Sequence, residues 1–241
     1  MPIFSHTPGE PTTVMVNGYK FLKSDWLDSG NDPILSPTVF LVEQAPNASL
    51  RTHFHKQNQF QLFVRGSGSI GPHRLEALTV HYAGAFSGYG PILSGPKGLA
   101  YFTLRSVFEA GSRTIKEHGA EMKRGPKRQL HSTPLALATN AELTQLERSS
   151  ALDLIELQHD HIAAQLFTLA PGDSATGRNP AASAGQFYVV LGGSILAGDR
   201  TLQKWQSVFI ASDEGPLRVH AGTGGAQAVC LQLPHKIREY H

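Results

Sequence analysis

The stretch LRTHFHKQNQFQLFVRGSGSIG, residues 50–71, holds two histidines, His53 and His55, one residue apart. On a β-strand, residues i and i+2 point to the same side, so these two imidazoles share a face. After a turn at KQN a second run begins at Gln59, and pairing of the two strands brings its carboxamide toward both imidazoles. Two glycines then end the unit, where the chain turns tightly. This arrangement predicts nitrogen and oxygen ligands for a divalent transition metal: Fe, Mn, Ni, Co, Cu or Zn.

Short β-rich runs bounded by Gly, Pro, Asn or Ser occupy both halves of the chain. Their spacing indicates an all-β sandwich or barrel rather than alternating strands and helices. The runs cover residues 38–44, 59–64, 77–82, 99–105, 151–157, 163–172, 186–194, 207–212 and 226–234.

Four segments of the first half recur in the second half in the same order and at a nearly constant separation. The pairs are APN (45–47) with APG (170–172), QFQLFVRGS (59–67) with QFYVVLGGS (186–194), GPI (90–92) with GPL (215–217), and SGPKGLAYFTLR (94–105) with AGTGGAQAVCLQ (221–232). This order indicates an internal duplication with two copies. Each copy has about the number of strands that a small barrel needs.

Two segments between the copies are less regular. Residues 109–134 are polar, basic and poor in apolar side chains, which is typical of a solvated connector that can hold a short helix. An anion-binding patch is the alternative for its Lys and Arg residues. For residues 140–150, a short helix with Asn140 as N-cap and a strand are both open.

The spacing around the two histidines resembles the first motif of the cupin superfamily. That motif reads Gly, five residues, His-x-His, three or four residues, Glu, six residues, Gly. Here Asn47 stands at the first glycine, Gln59 at the glutamate and Gly66 at the last glycine, and the change from Glu to Gln removes a negative charge. The resemblance implies that His53, His55 and Gln59 hold the metal.

With the duplication, the resemblance covers roughly residues 36–105 and 160–234. It implies a bicupin, an all-β chain with two cupin-type jelly-roll barrels. We predict a first barrel over residues 1–112 with N-terminal strands and the His-x-His motif, a connector over 113–140, and a second, degenerate barrel over 141–241.

The second cupin motif supplies a further histidine, and this chain lacks it. The equivalent region, YAGAFSGYGPILSGPKG (82–98), contains no histidine. His81 is the candidate additional ligand, with a strand residue satisfied by a neighbour as the alternative. Tyr89 is expected to fill the space of the missing histidine as a hydrogen-bonding pocket residue.

The second copy has lost the histidines of the first motif. The segment before Gln186, GRNPAASAG (177–185), contains none. A second His-x-His, His159 and His161, precedes a strand, and we interpret it as an exposed turn with Asp160 as turn former. The second barrel is therefore predicted to be structural or to support dimerisation.

Four further residues form the predicted substrate pocket. Arg51 lies two residues before His53, and its guanidinium is a candidate clamp for a substrate carboxylate at the barrel mouth. Gln61 and Phe63 share the strand face of Gln59. Tyr89 is the fourth.

Three functions are compatible with this site. The first is a metal-dependent dioxygenase, isomerase or lyase that acts on a small, carboxylate-bearing organic molecule. The second is a non-catalytic small-molecule-binding or regulatory bicupin, which the missing histidine favours. The third is metal-free catalysis by a histidine base, which needs a partner carboxylate. The nearby acids in sequence, Glu43 and Glu76, hold no motif position.

Composition sets limits on partners and compartment. A net charge of +2 over 241 residues gives no argument for nucleic-acid or membrane partners, and no apolar run approaches the roughly 20 residues that span a bilayer. The single cysteine, Cys230, excludes an internal disulfide. We therefore expect a cytoplasmic protein with a small-molecule ligand. We also expect a homodimer, because an edge strand of each copy needs covering.

Overall fold

The computed structural model describes residues 1–16 and 18–240, which form an almost entirely β structure. The strands in chain order are β1 (Ile3–Phe4), β2 (Thr12–Val16), β3 (Tyr19–Asp28), β4 (Thr38–Gln44), β5 (Ser49–Leu50), β6 (His53–Phe54), β7 (Gln59–Ile70), β8 (His73–Glu76), β9 (Thr79–Ala83), β10 (Ile92–Arg105), β11 (Arg113–Thr114), β12 (Gln129–His131), β13 (Ser150–Ile155), β14 (Ala163–Leu169), β15 (Ser174–Thr176), β16 (Gln186–Ala197), β17 (Arg200–Gln203), β18 (Ser207–Ile210) and β19 (Arg218–Gln232). Short α-helices are α1 (Ile115–His118) and α2 (Asn140–Thr144), and 3-10 turns cover Gly119–Glu121 and Arg238–Tyr240. Each of the nine β-rich runs in the sequence overlaps one of these strands, so the all-β prediction is confirmed.

The chain forms two compact units. The first barrel comprises residues 8–135 with the C-terminal residues from Lys236, and the second barrel comprises Met1–Thr7 with Ala136–His235. These limits differ from the predicted ones because β1 pairs with β18, and because the connector supplies β11 and β12, which pair with β6 and β9. A polar composition reports exposed side chains and carries no information about which backbone groups complete a sheet.

Both barrels have the same strand order. The main sheet runs β9-β7-β10-β4-β3 in the first barrel and β18-β16-β19-β14-β13 in the second, with antiparallel pairing throughout. The strands β7 and β16 each have 12 residues, and β4 and β14 each have seven. The matched order and lengths support the internal duplication.

A repeated glycine explains part of the sequence match between the two copies. Gly66 and Gly193 have positive φ angles of 81° and 64°. A Cβ at either position would lie 2.1 Å from a carbonyl oxygen of the neighbouring strand, that of Gly98 or Gly225 respectively. Only glycine fits where the two strands approach this closely.

The segment after the connector contains a helix rather than a strand. Its N-cap is Thr139 and not Asn140, because the Thr139 side chain accepts from the Glu142 backbone N–H while the Glu142 carboxylate accepts from the Thr139 backbone N–H. This reciprocal capping box stabilises the first turn of α2.

The interiors of the two barrels differ. Large aromatic and aliphatic side chains, with Phe167 and Tyr188 among them, form the core of the second barrel around Cys230. The first barrel has a core of the same kind around Phe63 and Tyr101, and it also buries the polar residues His53, His55, Gln59 and Arg105. No helix among the described residues is long and apolar enough to cross a membrane.

Candidate functional site

The candidate site lies inside the first barrel, where β6, β7 and the end of β10 meet. Backbone hydrogen bonds join His53 to Tyr89 in both directions, at 3.1 and 3.0 Å, and so fix β6 beside the segment that follows β9. His53, His55 and Gln59 are 3%, 7% and 1% exposed. The structure brings these side chains together, with the two imidazole centroids 5.4 Å apart and the Tyr89 hydroxyl in contact with both His53 and Gln59.

The Tyr89 hydroxyl joins His53 to Gln59. His53 Nδ1 lies 2.8 Å from the Arg51 carbonyl oxygen, which only accepts, so Nδ1 carries the proton and Nε2 accepts from the Tyr89 hydroxyl at 2.9 Å. Gln59 Nε2 donates to the same hydroxyl at 2.5 Å. Burial raises the pKa of Tyr89 above its usual value, so the hydroxyl keeps its proton. Tyr89 fills this part of the pocket as a hydrogen-bonding residue.

Arg105, the last residue of the repeated segment 94–105 and outside both cupin motifs, completes the cluster from β10. Its Nε and Nη2 donate to Gln59 Oε1 at 3.0 and 2.8 Å. Nη2 also lies 3.0 Å from Nδ1 and 3.3 Å from Nε2 of His55. The side chain is 3% exposed. Strand periodicity carried a signal for it, because Tyr101, Thr103 and Arg105 alternate along β10 and all three line the cavity.

A buried carboxylate, Glu109, balances this charge. Its oxygens accept from the backbone N–H groups of Lys56 and Gln57 at 2.9 to 3.2 Å and from Arg113 Nη1 at 2.7 Å. Oε2 lies 3.6 Å from His55 Nδ1. Burial opposes the charge, but the interactions with His55, Arg105 and the Lys56 N–H outweigh it and lower the pKa of Glu109 to about 2.

Glu109 is thus the carboxylate beside the histidines, in place of the two acids that sequence proximity suggested. Glu43 and Glu76 instead pair with the exposed arginines Arg65 and Arg74. Glu109 is 54 residues from His55 along the chain, so no local spacing could indicate their contact.

Both imidazoles are neutral at neutral pH. Burial lowers the pKa of His53 to about 4, and the nearby Arg105 charge adds to this effect. Burial and the same charge lower the pKa of His55 to about 3. Burial also lowers the pKa of Arg105 itself, which Glu109 opposes, and the guanidinium stays charged because its usual pKa is so high.

The cluster faces a cavity of about 380 Å³ whose remaining wall is largely apolar but includes the charged residues Lys23, Asp25 and Asp28. The aliphatic and aromatic lining includes Val14, Phe21, Leu27, Phe40, Val42 and Leu50. Gln61 and Tyr89 line the cavity, whereas Phe63 lies in the core against Tyr101. Arg51 is exposed and lies outside the lining. Because β5 ends at Leu50 and β6 begins at His53, strand alternation does not extend to Arg51.

His81 lies apart from the other predicted ligands. It is the register partner of Gln61 on β7, and its Nδ1 lies 2.8 Å from Gln61 Oε1. Its ring stacks on His131 at 4.5 Å. The strand neighbour therefore satisfies one ring nitrogen, as the alternative interpretation had it. In the second barrel, His159 and His161 lie in an exposed turn.

The donor set does not fit a divalent cation. The nitrogen of His53 that would bind a metal accepts from Tyr89, and the oxygen of Gln59 accepts twice from Arg105. A buried guanidinium beside these atoms repels a second cation. Within residues 1–16 and 18–240, no group of three or more His, Cys, Asp or Glu side chains is placed to hold a metal ion.

No protein-family model matches the chain, and no curated protein matches its sequence. Solved structures match it in fold. A bacterial pirin from Escherichia coli in complex with nickel(II) has a TM-score of 0.57 at 13% identity, over 97% of this chain and 99% of that chain. A mutant oxalate decarboxylase from Bacillus subtilis has a TM-score of 0.60 at 11% identity, over 96% and 77%. A mutant salicylate 1,2-dioxygenase from Pseudoaminobacter salicylatoxidans has a TM-score of 0.51 at 12% identity, over 81% and 71%.

At these identities the likeness shows the fold. The chain has the fold of the cupin superfamily, which the spacing around His53 and His55 predicted. Because one chain forms two such barrels, it has the bicupin form of that fold.

Proposed function

We propose that the first barrel binds a small organic carboxylate in its cavity, and that Arg105 supplies the positive charge that holds it. The observation that carries this proposal is a buried guanidinium at the polar end of a largely apolar cavity. A charge-assisted hydrogen bond in such a low-dielectric site is stronger than the same bond in water.

The cluster has hydrogen-bond donors left for an anion. Among the described contacts, Arg105 uses four of its five N–H groups, two on Gln59, one on His55 and one on the Glu109 carbonyl. Gln61 Oε1 faces His81, which leaves the amide nitrogen of Gln61 for a ligand in the cavity. Donors without matching acceptors select a ligand oxygen that carries negative charge.

The rest of the cavity selects the body of the ligand. Its aliphatic and aromatic lining favours a molecule with an apolar part, because burial of that part contributes about 25 cal/mol per Å². A small carboxylate with a hydrocarbon or aromatic body matches both ends of the cavity.

The structural neighbours support this chemical class. Two of them are named for oxalate and salicylate, which both carry carboxylates. The nickel(II) in the pirin structure is the one observation for a second candidate, a metal-dependent dioxygenase, isomerase or lyase that uses His53, His55 and Gln59, although the donor atoms of His53 and Gln59 are occupied in this protein. The saturated donor set favours direct binding by the protein, so we place the non-catalytic binding function first.

Calorimetry with matched ligands tests the proposal. We expect benzoate or salicylate to bind the wild type, and benzamide, which has a similar shape and no charge, to bind much more weakly. Loss of a buried charge partner costs roughly 2–5 kcal/mol, so Arg105→Met should weaken carboxylate binding by about 30-fold or more. Arg65→Met, which changes an exposed arginine of the same barrel, is the control and should bind like the wild type.

Two results would contradict this function. One is equal affinity for benzoate and benzamide. The other is the absence of binding for benzoate, salicylate and oxalate alike by a folded wild-type protein.

A further inference from the structure

We infer that Arg105 and Tyr89 stand in place of the metal ion at the His-x-His motif of the first barrel. The guanidinium supplies the positive charge, and the N–H and O–H groups of these two residues saturate the donor atoms that the motif would offer to a metal. The charge that Arg105 offers to a ligand rests on the proposed function, whereas the exclusion of metal is tested without any ligand.

The hydrogen bonds form one chain with a single direction. Arg105 donates to Gln59 Oε1, Gln59 Nε2 donates to the Tyr89 hydroxyl, and that hydroxyl donates to His53 Nε2. His53 Nδ1 then donates to the Arg51 carbonyl oxygen. Each group in this chain has the polarity that its neighbours require, so no lone pair of His53 or Gln59 faces an open coordination position.

This chain of hydrogen bonds gives one explanation for two departures from the cupin pattern, Gln59 in place of glutamate and the missing histidine of the second motif. The residue at position 59 must accept from Arg105 at one atom and donate to Tyr89 at the other. A carboxamide does both, whereas an ionised carboxylate only accepts. Gln59 in place of glutamate and Tyr89 near the missing histidine are therefore a matched pair. Arg105 donates to Gln59 Oε1 and so orients the amide with its Nε2 toward the Tyr89 hydroxyl.

His55, the third predicted metal ligand, also has its ring in contact with a hydrogen-bond donor. Arg105 Nη2 lies within hydrogen-bond distance of the His55 ring nitrogens, at 3.0 and 3.3 Å. His55 is neutral, and its lone pair receives an N–H of the guanidinium. A divalent ion at this position would have to displace a buried cation that Glu109 and Gln59 hold in place.

Metal analysis of tag-free protein purified in the presence of Ni²⁺, Zn²⁺, Mn²⁺ and Fe²⁺ tests the inference. We expect well under one equivalent of any metal in the wild type, and no heat of binding above that of a surface-histidine control when Ni²⁺ is titrated. The control carries His73→Gln with His159→Ala and His161→Ala, which removes exposed imidazoles away from the cavity. About one equivalent of metal in the wild type, lost in His53→Ala with His55→Ala, overturns the inference.

A gain-of-function variant makes the same test in reverse. Tyr89→His, Gln59→Glu and Arg105→Met together remove both proton donors and the positive charge, and add an imidazole and a carboxylate. We expect this triple variant to bind about one equivalent of Ni²⁺. A folded triple variant that binds no more Ni²⁺ than the wild type shows that the hydrogen-bond chain is not what excludes the metal, and overturns the inference.

The wild type alone decides the matter if the triple variant does not fold. The ¹⁵N shifts of the His53 ring should show a proton on Nδ1 and none on Nε2, and they should not move when Ni²⁺ is added. A shift of the His53 Nε2 resonance on addition of Ni²⁺ contradicts the inference.

A protein that binds neither carboxylate nor Ni²⁺ contradicts the proposed function and supports the exclusion of metal, so the two failures are distinct.

Discussion

Replacement of Arg105 by methionine is the sharpest test of the polar cluster as a structural unit. Arg105 is 3% exposed, and its removal takes donors from Gln59 Oε1 and from the Glu109 carbonyl oxygen. An unsatisfied buried acceptor costs about 1–3 kcal/mol, and methionine replaces most of the lost volume. Relief from burying a charge offsets part of this cost. We expect a net loss of about 2–4 kcal/mol in the free energy of unfolding.

Fluorescence can follow the first barrel alone. The chain has two tryptophans, Trp26 on β3 of the first barrel and Trp205 in the second barrel. In a Trp205→Phe background, urea unfolding reports the environment of Trp26. Arg65→Met is the matched control, because that arginine is exposed, and exposed ion pairs contribute at most about 1 kcal/mol.

Equal stability of Arg105→Met and Arg65→Met would refute a stabilising role for Arg105. If Arg105→Met and Arg65→Met have the same free energy of unfolding in urea, within about 0.5 kcal/mol, the hydrogen bonds of Arg105 do not stabilise the first barrel. By thermal unfolding the expected loss corresponds to a decrease in Tm of roughly 5–15 °C, since 1 kcal/mol shifts Tm by about 2–4 °C in chains of this size.

Four further outcomes are expected. The pKa of His53 is about 4 in the folded state against 6.5 ordinarily, so the stability that it contributes is complete above pH 6.5 and decreases as pH falls toward 4. His53→Gln should reduce this acid-induced loss by up to about 3 kcal/mol in urea titrations at pH 7 and pH 4.5. Thr139→Ala should destabilise α2 by about 1 kcal/mol, seen as faster hydrogen exchange there, and unchanged exchange would contradict the capping box. Cys230 is buried with its pKa raised to about 12, so native protein should resist thiol labelling at pH 7, and rapid labelling would show otherwise. Light scattering at micromolar concentration should give a homodimer, and a monomer mass would count against it.

The sequence alone determined the fold and the location of the imidazoles. Alternation with period two and turn residues mark the strands because both follow from local backbone geometry. The repeated glycines at Gly66 and Gly193 mark the duplication because a close strand approach admits no Cβ there. The same local rule brings His53, His55 and Gln59 together, since they belong to one strand–turn–strand unit.

Only the tertiary structure decided what surrounds those imidazoles. Arg105 and Glu109 come from 46 and 54 residues beyond Gln59 and His55, and they reach the cluster because β10 pairs with β7. Arg51, close in sequence, does not line the cavity because the strand is interrupted before it. Register between distant strands depends on the packing of the whole barrel. Local spacing in the sequence therefore cannot predict which polar side chains surround the imidazoles, or whether a metal or a guanidinium lies beside them.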